Sequence, residues 1–104
     1  MITSYSLRQQ AQVDLESTWI YSYREWGEEQ ADQYIRLLLS RFTWLSENPQ
    51  PGKQRTEIKP GYHCFPEGMH LIFYKITQDG IDIIGIPHQN MDIVSYFDIQ
   101  GTPD

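Results

Sequence analysis

With 104 residues and no break in composition, the chain has room for one domain, residues 1–104, able to bury a single core. A formal net charge of -6 argues against strong nonspecific attraction to DNA or RNA, which relies on clustered lysine and arginine. The lone Cys64 rules out an internal disulfide framework and offers no metal-ligand spacing, no apolar run approaches the roughly 20 residues that span a bilayer, and MITSYSLRQQ lacks the segments of a signal peptide, so a cytoplasmic protein without metal or cofactor is expected.

Residues 2–7 read as a short strand. Ala11, Leu15, Trp19, Ser22, Tyr23 and Trp26 then recur at helical spacing until Gly27, and Ala31, Tyr34, Ile35, Leu38, Phe42 and Leu45 form a second stripe that ENPQPG stops. So short a connection makes a helical hairpin whose stripes share one core with a sheet, and their aromatic positions read as core. Charge is uneven: EWGEEQAD gathers Glu25, Glu28, Glu29 and Asp32, whereas KQRTEIK places Lys53, Arg55 and Lys59 around Glu57 in what reads as a solvated loop.

GYHCF reads as a strand, EG as a turn, and HLIFYKITQDGIDIIGIPH as a β-hairpin turning at Asp79-Gly80. A three-residue loop of Gln78, Asp79 and Gly80 sets Thr77 against Ile81, Phe73 against Gly85 and His70 against His88, the two imidazoles with Cβ atoms roughly 5 Å apart. One face then carries Ile72, Tyr74, Ile84 and Ile86, the other Leu71, Phe73, Ile81 and Ile83. Pro87 lacks a ladder donor and marks where the last strand frays. MDIVSYF and a polar tail follow. Strand, helix, helix and three strands make an α+β fold, an N-terminal strand and antiparallel helical hairpin packed on a small, mainly antiparallel sheet. Both hairpin faces are apolar and only two helices are foreseen, so an apolar surface is expected to await a partner.

ADQYIRLLLSRFTWLSENPQPGKQR, IKPGYHCFPEGMHLIFYKI and IIGIPHQNMD together resemble the ParE toxins of the RelE/ParE superfamily, over nearly the whole chain. The resemblance implies a bacterial toxin held in a hetero-oligomer by a ParD-like antitoxin. It also implies a DNA gyrase target inhibited by binding, with no catalytic residues. On it, the target-contact candidates are Lys53, Arg55, Lys59, Tyr62, His63, Met69, His70, Gly85, His88, Met91 and Asp92. Trp19, Tyr23, Leu37 and Trp44 are the antitoxin-binding candidates. Family members commonly carry arginine where this chain has His63, Met69 and Gly85, and leucine at Pro87; the substitutions strip charge from one sheet patch and leave Phe73 exposed there. Two alternatives remain at this stage. One is a RelE-like ribosome-dependent mRNA endoribonuclease, for which His63, His70 and His88 supply proton transfer and Lys59 charge. The other is a detoxified member that only binds its antitoxin.

Overall fold

In a computed structural model of the chain, which describes residues 4–100, β1 (Ser4–Leu7) leads into α1 (Gln9–Trp26) and α2 (Glu28–Glu47). The strand expected over 2–7 thus appears as β1; residues 2 and 3, and the tail beyond 100, lie outside the described residues. Gly27 serves both helices. Its N–H donates to Tyr23 O at 2.9 Å to close α1, and its carbonyl accepts from Ala31 N at 3.1 Å to open α2, at a φ of 94° that disfavours any side chain. Glu28 and Glu29 in the first turn of α2 suit the positive end of its dipole.

Five strands form one sheet in the order β1-β5-β4-β3-β2, with β2 (Lys53–Gln54), β3 (His63–Glu67), β4 (His70–Thr77) and β5 (Gly80–Gly85). Among the described residues only the β1–β5 pair is parallel, and the chain between the two strands runs through the helical hairpin and then β2, β3 and β4. β2 was not foreseen: Lys53 and Gln54 pair with Cys64 and His63 rather than lying in a solvated loop.

The hairpin register departs from expectation twice, and the departures cancel. Thr77 faces Gly80 rather than Ile81, so the loop is Gln78-Asp79. A bulge opposite Phe73/Tyr74 then adds one residue on β5, which restores Phe73 against Gly85 and the bridge between His70 and His88. Between the loop and the bulge the one-residue shift exchanges faces, and beyond the bulge Ile86 returns to the expected one. Ile81 and Ile83 join Ile72, Tyr74 and Ile86 under the helices, packed with Ala11, Leu38, Phe42 and Leu45, whereas Ile84 joins Phe73 on the other side. β5 ends at Gly85, short of Pro87 as expected.

The second face is covered too. MDIVSYF becomes a third helix, α3 (Ile93–Gln100), whose Tyr96 and Phe97 pack on Tyr62, Cys64, Phe73 and Ile84. Phe73 is therefore fully buried rather than exposed, with the Arg55 guanidinium 5.7 Å from its ring centroid and Phe97 edge-on at 4.9 Å. The α2 stripe is as expected, with Ala31, Leu38, Phe42 and Leu45 buried, whereas the α1 stripe is rotated. α1 buries Ala11, Thr18 and Ser22 against its neighbours, while Tyr23 and Trp26 are about half exposed, and Trp44 on α2 is also exposed. Close helix packing favours small side chains at the contact, which turns the large rings outward.

Candidate functional site

The rotation of α1 builds a groove of about 790 Å³ between the helical hairpin and one end of the sheet. α1 contributes Asp14, Thr18, Tyr21 and Trp26, α2 contributes Tyr34 and Leu37, and the end of the sheet contributes Met69, His70, Ile86, His88 and Met91. Tyr21 and Trp26 meet edge to face at 6.0 Å along the rim. Helical spacing was the available signal: 14, 17, 18, 21 on α1 and 30, 33, 34, 37 on α2 each recur at i+3/i+4, but they mix polar and aromatic types and so hide beside the apolar stripes.

His70 forms the floor. Tyr34 Oη lies 2.7 Å from its Nδ1 and Thr18 Oγ1 lies 3.2 Å from its Nε2, so both ring nitrogens are engaged. The Tyr34 hydroxyl also accepts from Met69 N at 2.9 Å and has Glu67 O within 3.5 Å as a further acceptor. Burial first, then the facing His88, push the His70 pKa from 6.5 to about 4, against a smaller opposing pull from Asp14, so the imidazole is neutral at pH 7. The His70 and His88 rings stand 5.3 Å apart, edge to face. His88 Nδ1 accepts from Asn90 N at 3.1 Å, which places the proton of the neutral ring on Nε2.

The residues singled out in the sequence separate into groups. Met69, His70, His88, Met91 and Leu37 come together in the groove. Lys53, Arg55, Lys59 and His63 lie toward the opposite end of the β3–β4 ladder, where His63 pairs with Tyr74 and Arg55 pairs with Glu57. Tyr62 is buried beneath Phe97, and Gly85 is buried beside the Tyr96 hydroxyl. Asp92 leads into α3, its carbonyl accepting from Tyr96 N at 2.9 Å and its carboxylate from Ser95 Oγ at 2.9 Å. Trp19 stacks on Tyr23 at 5.2 Å and donates to Asp32 at 2.8 Å, outside the groove. Trp44 sits apart against Phe65 with Arg41 over its ring. Asp14, Tyr21, Trp26 and Tyr34 are groove residues that the sequence did not single out as site residues.

Cys64 is buried, which raises its pKa against the opposing pull of Arg55, so it is poorly suited to act as a nucleophile. Among the described residues no cluster of three or more histidine, cysteine or acidic side chains could hold a metal ion. No helix there is long and apolar enough to cross a membrane.

Comparison with known proteins agrees with this architecture. Toxin ParE1 of Mycobacterium tuberculosis is 39% identical over 94 residues, covering 89% of this chain and 96% of its own length. Toxin ParE1 of Caulobacter vibrioides is 34% identical over 88 residues, covering 85% and 91%. The structure of a chromosomal ParDE TA system from P. aeruginosa matches with a TM-score of 0.70 at 17% identity, over 84% of this chain and 96% of that one, a likeness of fold. The family model for the ParE toxin of the type II toxin-antitoxin system, parDE, matches residues 5–93. The chain belongs to the ParE toxin family of type II toxin-antitoxin systems.

Proposed function

We propose that this toxin acts in the cytoplasm by binding DNA gyrase, with no reaction of its own, and that a ParD-like antitoxin neutralises it by laying an apolar segment into the groove. The observation that carries the antitoxin half is the groove's lining. Tyr21, Trp26, Leu37, Met69 and Met91 are 43% to 57% exposed around one concavity, an apolar surface of the kind that partners cover. Of the four antitoxin-binding candidates, Leu37 lies in this concavity; Trp19, Tyr23 and Trp44 extend the contact only if the segment continues beyond it.

A binding mode of action is supported by the histidines. A general base must be reachable and able to take a proton, yet His70 has both nitrogens engaged and resists protonation. His63 pairs at Tyr74, four residues along β4 from His70, which separates the two by about 13 Å of strand.

Expression without antitoxin should arrest growth, and the purified toxin should inhibit gyrase supercoiling while leaving messenger RNA intact in a translation extract. Message cleavage would instead make it a ribonuclease, and unimpeded growth would leave it an antitoxin-binding protein only. Trp26→Ala should lower antitoxin affinity by roughly tenfold or more, as truncation of a buried aromatic anchor does.

A further inference from the structure

One carboxylate oxygen ties together both ends of the segment that walls the groove. Asp14 Oδ2 accepts from Ile86 N at 2.8 Å and from Tyr96 Oη at 2.5 Å, while Oδ1 accepts from Gln10 Nε2 at 2.8 Å. Ile86 begins the groove wall, which runs through Pro87, His88 and Met91; Tyr96 belongs to α3, on the opposite face of the sheet. The tyrosine reaches across at Gly85. A Cβ there would lie 2.2 Å from the Tyr96 hydroxyl, so the hydroxyl occupies the room a side chain would take.

We propose that Asp14 is a positioning residue for partner recognition: by clamping residues 86–96 at both ends, it holds the groove wall in the shape the antitoxin segment binds, and so couples groove occupancy to the seating of α3. The inference rests on the groove being the antitoxin's seat. Between the clamped ends the wall is tied to the rest of the sheet by Leu71 N to Pro87 O at 2.9 Å, Gln89 N to Met69 O at 2.8 Å and Gln89 Nε2 to Gly68 O at 2.9 Å, while Asn90 N to His88 Nδ1 at 3.1 Å and Met91 N to His88 O at 3.0 Å are internal to it, so the clamp is its tie to α1 and α3 together. A wall that is already ordered spares the partner the entropy of ordering it. Linkage is reciprocal, so a partner that favours the ordered wall must also favour seated α3, although it touches neither Tyr96 nor the sheet face beneath it.

Two variants break the clamp by different means. Tyr96→Phe removes the hydroxyl and keeps the ring on Phe97. Gly85→Ala keeps the tyrosine but forces its ring tip to move with the hydroxyl, since the added methyl group would lie 2.2 Å from Oη and 3.1 Å from Cζ; Gly85 has no positive φ, so the backbone itself accepts the methyl group. Both should lower affinity for the ParD-like antitoxin by about tenfold, within the range of linked sites, and the Gln89 and Met91 amides should exchange faster with solvent in the free variants. In the parent, adding antitoxin should slow exchange of α3 amides, and this slowing should shrink in both variants.

Unchanged affinity in both variants, alongside a loss in Trp26→Ala, would overturn the coupling and leave the groove reading standing. Unchanged affinity in Trp26→Ala itself would show that the groove reading has failed. The clamp would still be decided by the free proteins: parent-like exchange at Gln89 and Met91 in both variants overturns it, and faster exchange upholds it.

Discussion

His70 carries its consequence in its hydrogen bonds. A neutral imidazole hydrogen-bonded to Tyr34 and Thr18 is a folded-state group that a proton would disrupt, and its pKa of about 4 against an ordinary 6.5 sets the sign of the effect. Between those two values the unfolded chain binds the extra proton and the folded chain does not, so stability falls as pH drops from 6.5 toward 4 and the loss levels off below. Urea titrations across that window should show the slope, and His70→Gln should flatten it. His88→Gln should move the His70 titration up only slightly, because burial is the larger cause of its depression. A large upward movement would mean that repulsion, not burial, holds His70 neutral. The facing of His70 and His88 was legible because a two-residue loop and a one-residue bulge offset each other in the count. The bulge itself has no mark in ILE-rich IDIIG, where apolar residues on both faces conceal any slip of alternation. Phe73 was misplaced for a related reason. The absence of a family arginine at Gly85 suggested a bare ring, whereas Arg55 supplies a cation over Phe73 from another segment, and the Tyr96 hydroxyl takes the space beside Gly85.

Among the elements, the helical hairpin was readable and the third helix was not. Gly27 sits between two amphipathic stripes, and its φ of 94° is the geometry such a joint needs. A Cβ there meets nothing within 4 Å, so Gly27→Ala tests backbone strain alone. It should cost about 1 kcal/mol in equilibrium denaturation with an unchanged m-value. α3 is short and follows three strands, and MDIVSYF carried no assignment in the sequence. Its signal was Asp92 ahead of Ile93, with Ser95 and then Tyr96 and Phe97 at i+3 and i+4, a helical turn showing one apolar face. Phe97 contacts Tyr62, Phe73 and Tyr96, so Phe97→Ala should destabilise the protein by about 3–5 kcal/mol, as emptying a packed aromatic site does. A loss below about 1 kcal/mol, the level of a surface site, would mean that α3 adds little to the second core.

At the scale of the molecule, charge and apolar surface are separated. Glu25, Glu28 and Glu29 are exposed around the joint of the helical hairpin, near the groove, while Lys53, Arg55 and Lys59 gather beyond the far end of the β3–β4 ladder. A net charge of -6 repels nucleic acid as a whole, so on the proposed gyrase reading the expected point of contact with gyrase or its DNA is the edge that carries Lys53, Arg55 and Lys59. That edge differs from the groove, so the proposed target contact and the proposed antitoxin contact can be altered one at a time. Lys59→Glu reverses a charge at the basic edge without touching either core, and charge at a rim acts mainly on encounter rate. It should weaken gyrase inhibition by roughly tenfold at low salt, with the difference narrowing as salt rises, and leave antitoxin affinity near the parent value. Growth curves without antitoxin, beside titration of the purified pair, measure both quantities. Parental toxicity in Lys59→Glu would remove the basic edge from target recognition. An equal loss of antitoxin affinity would mean that the two surfaces are one.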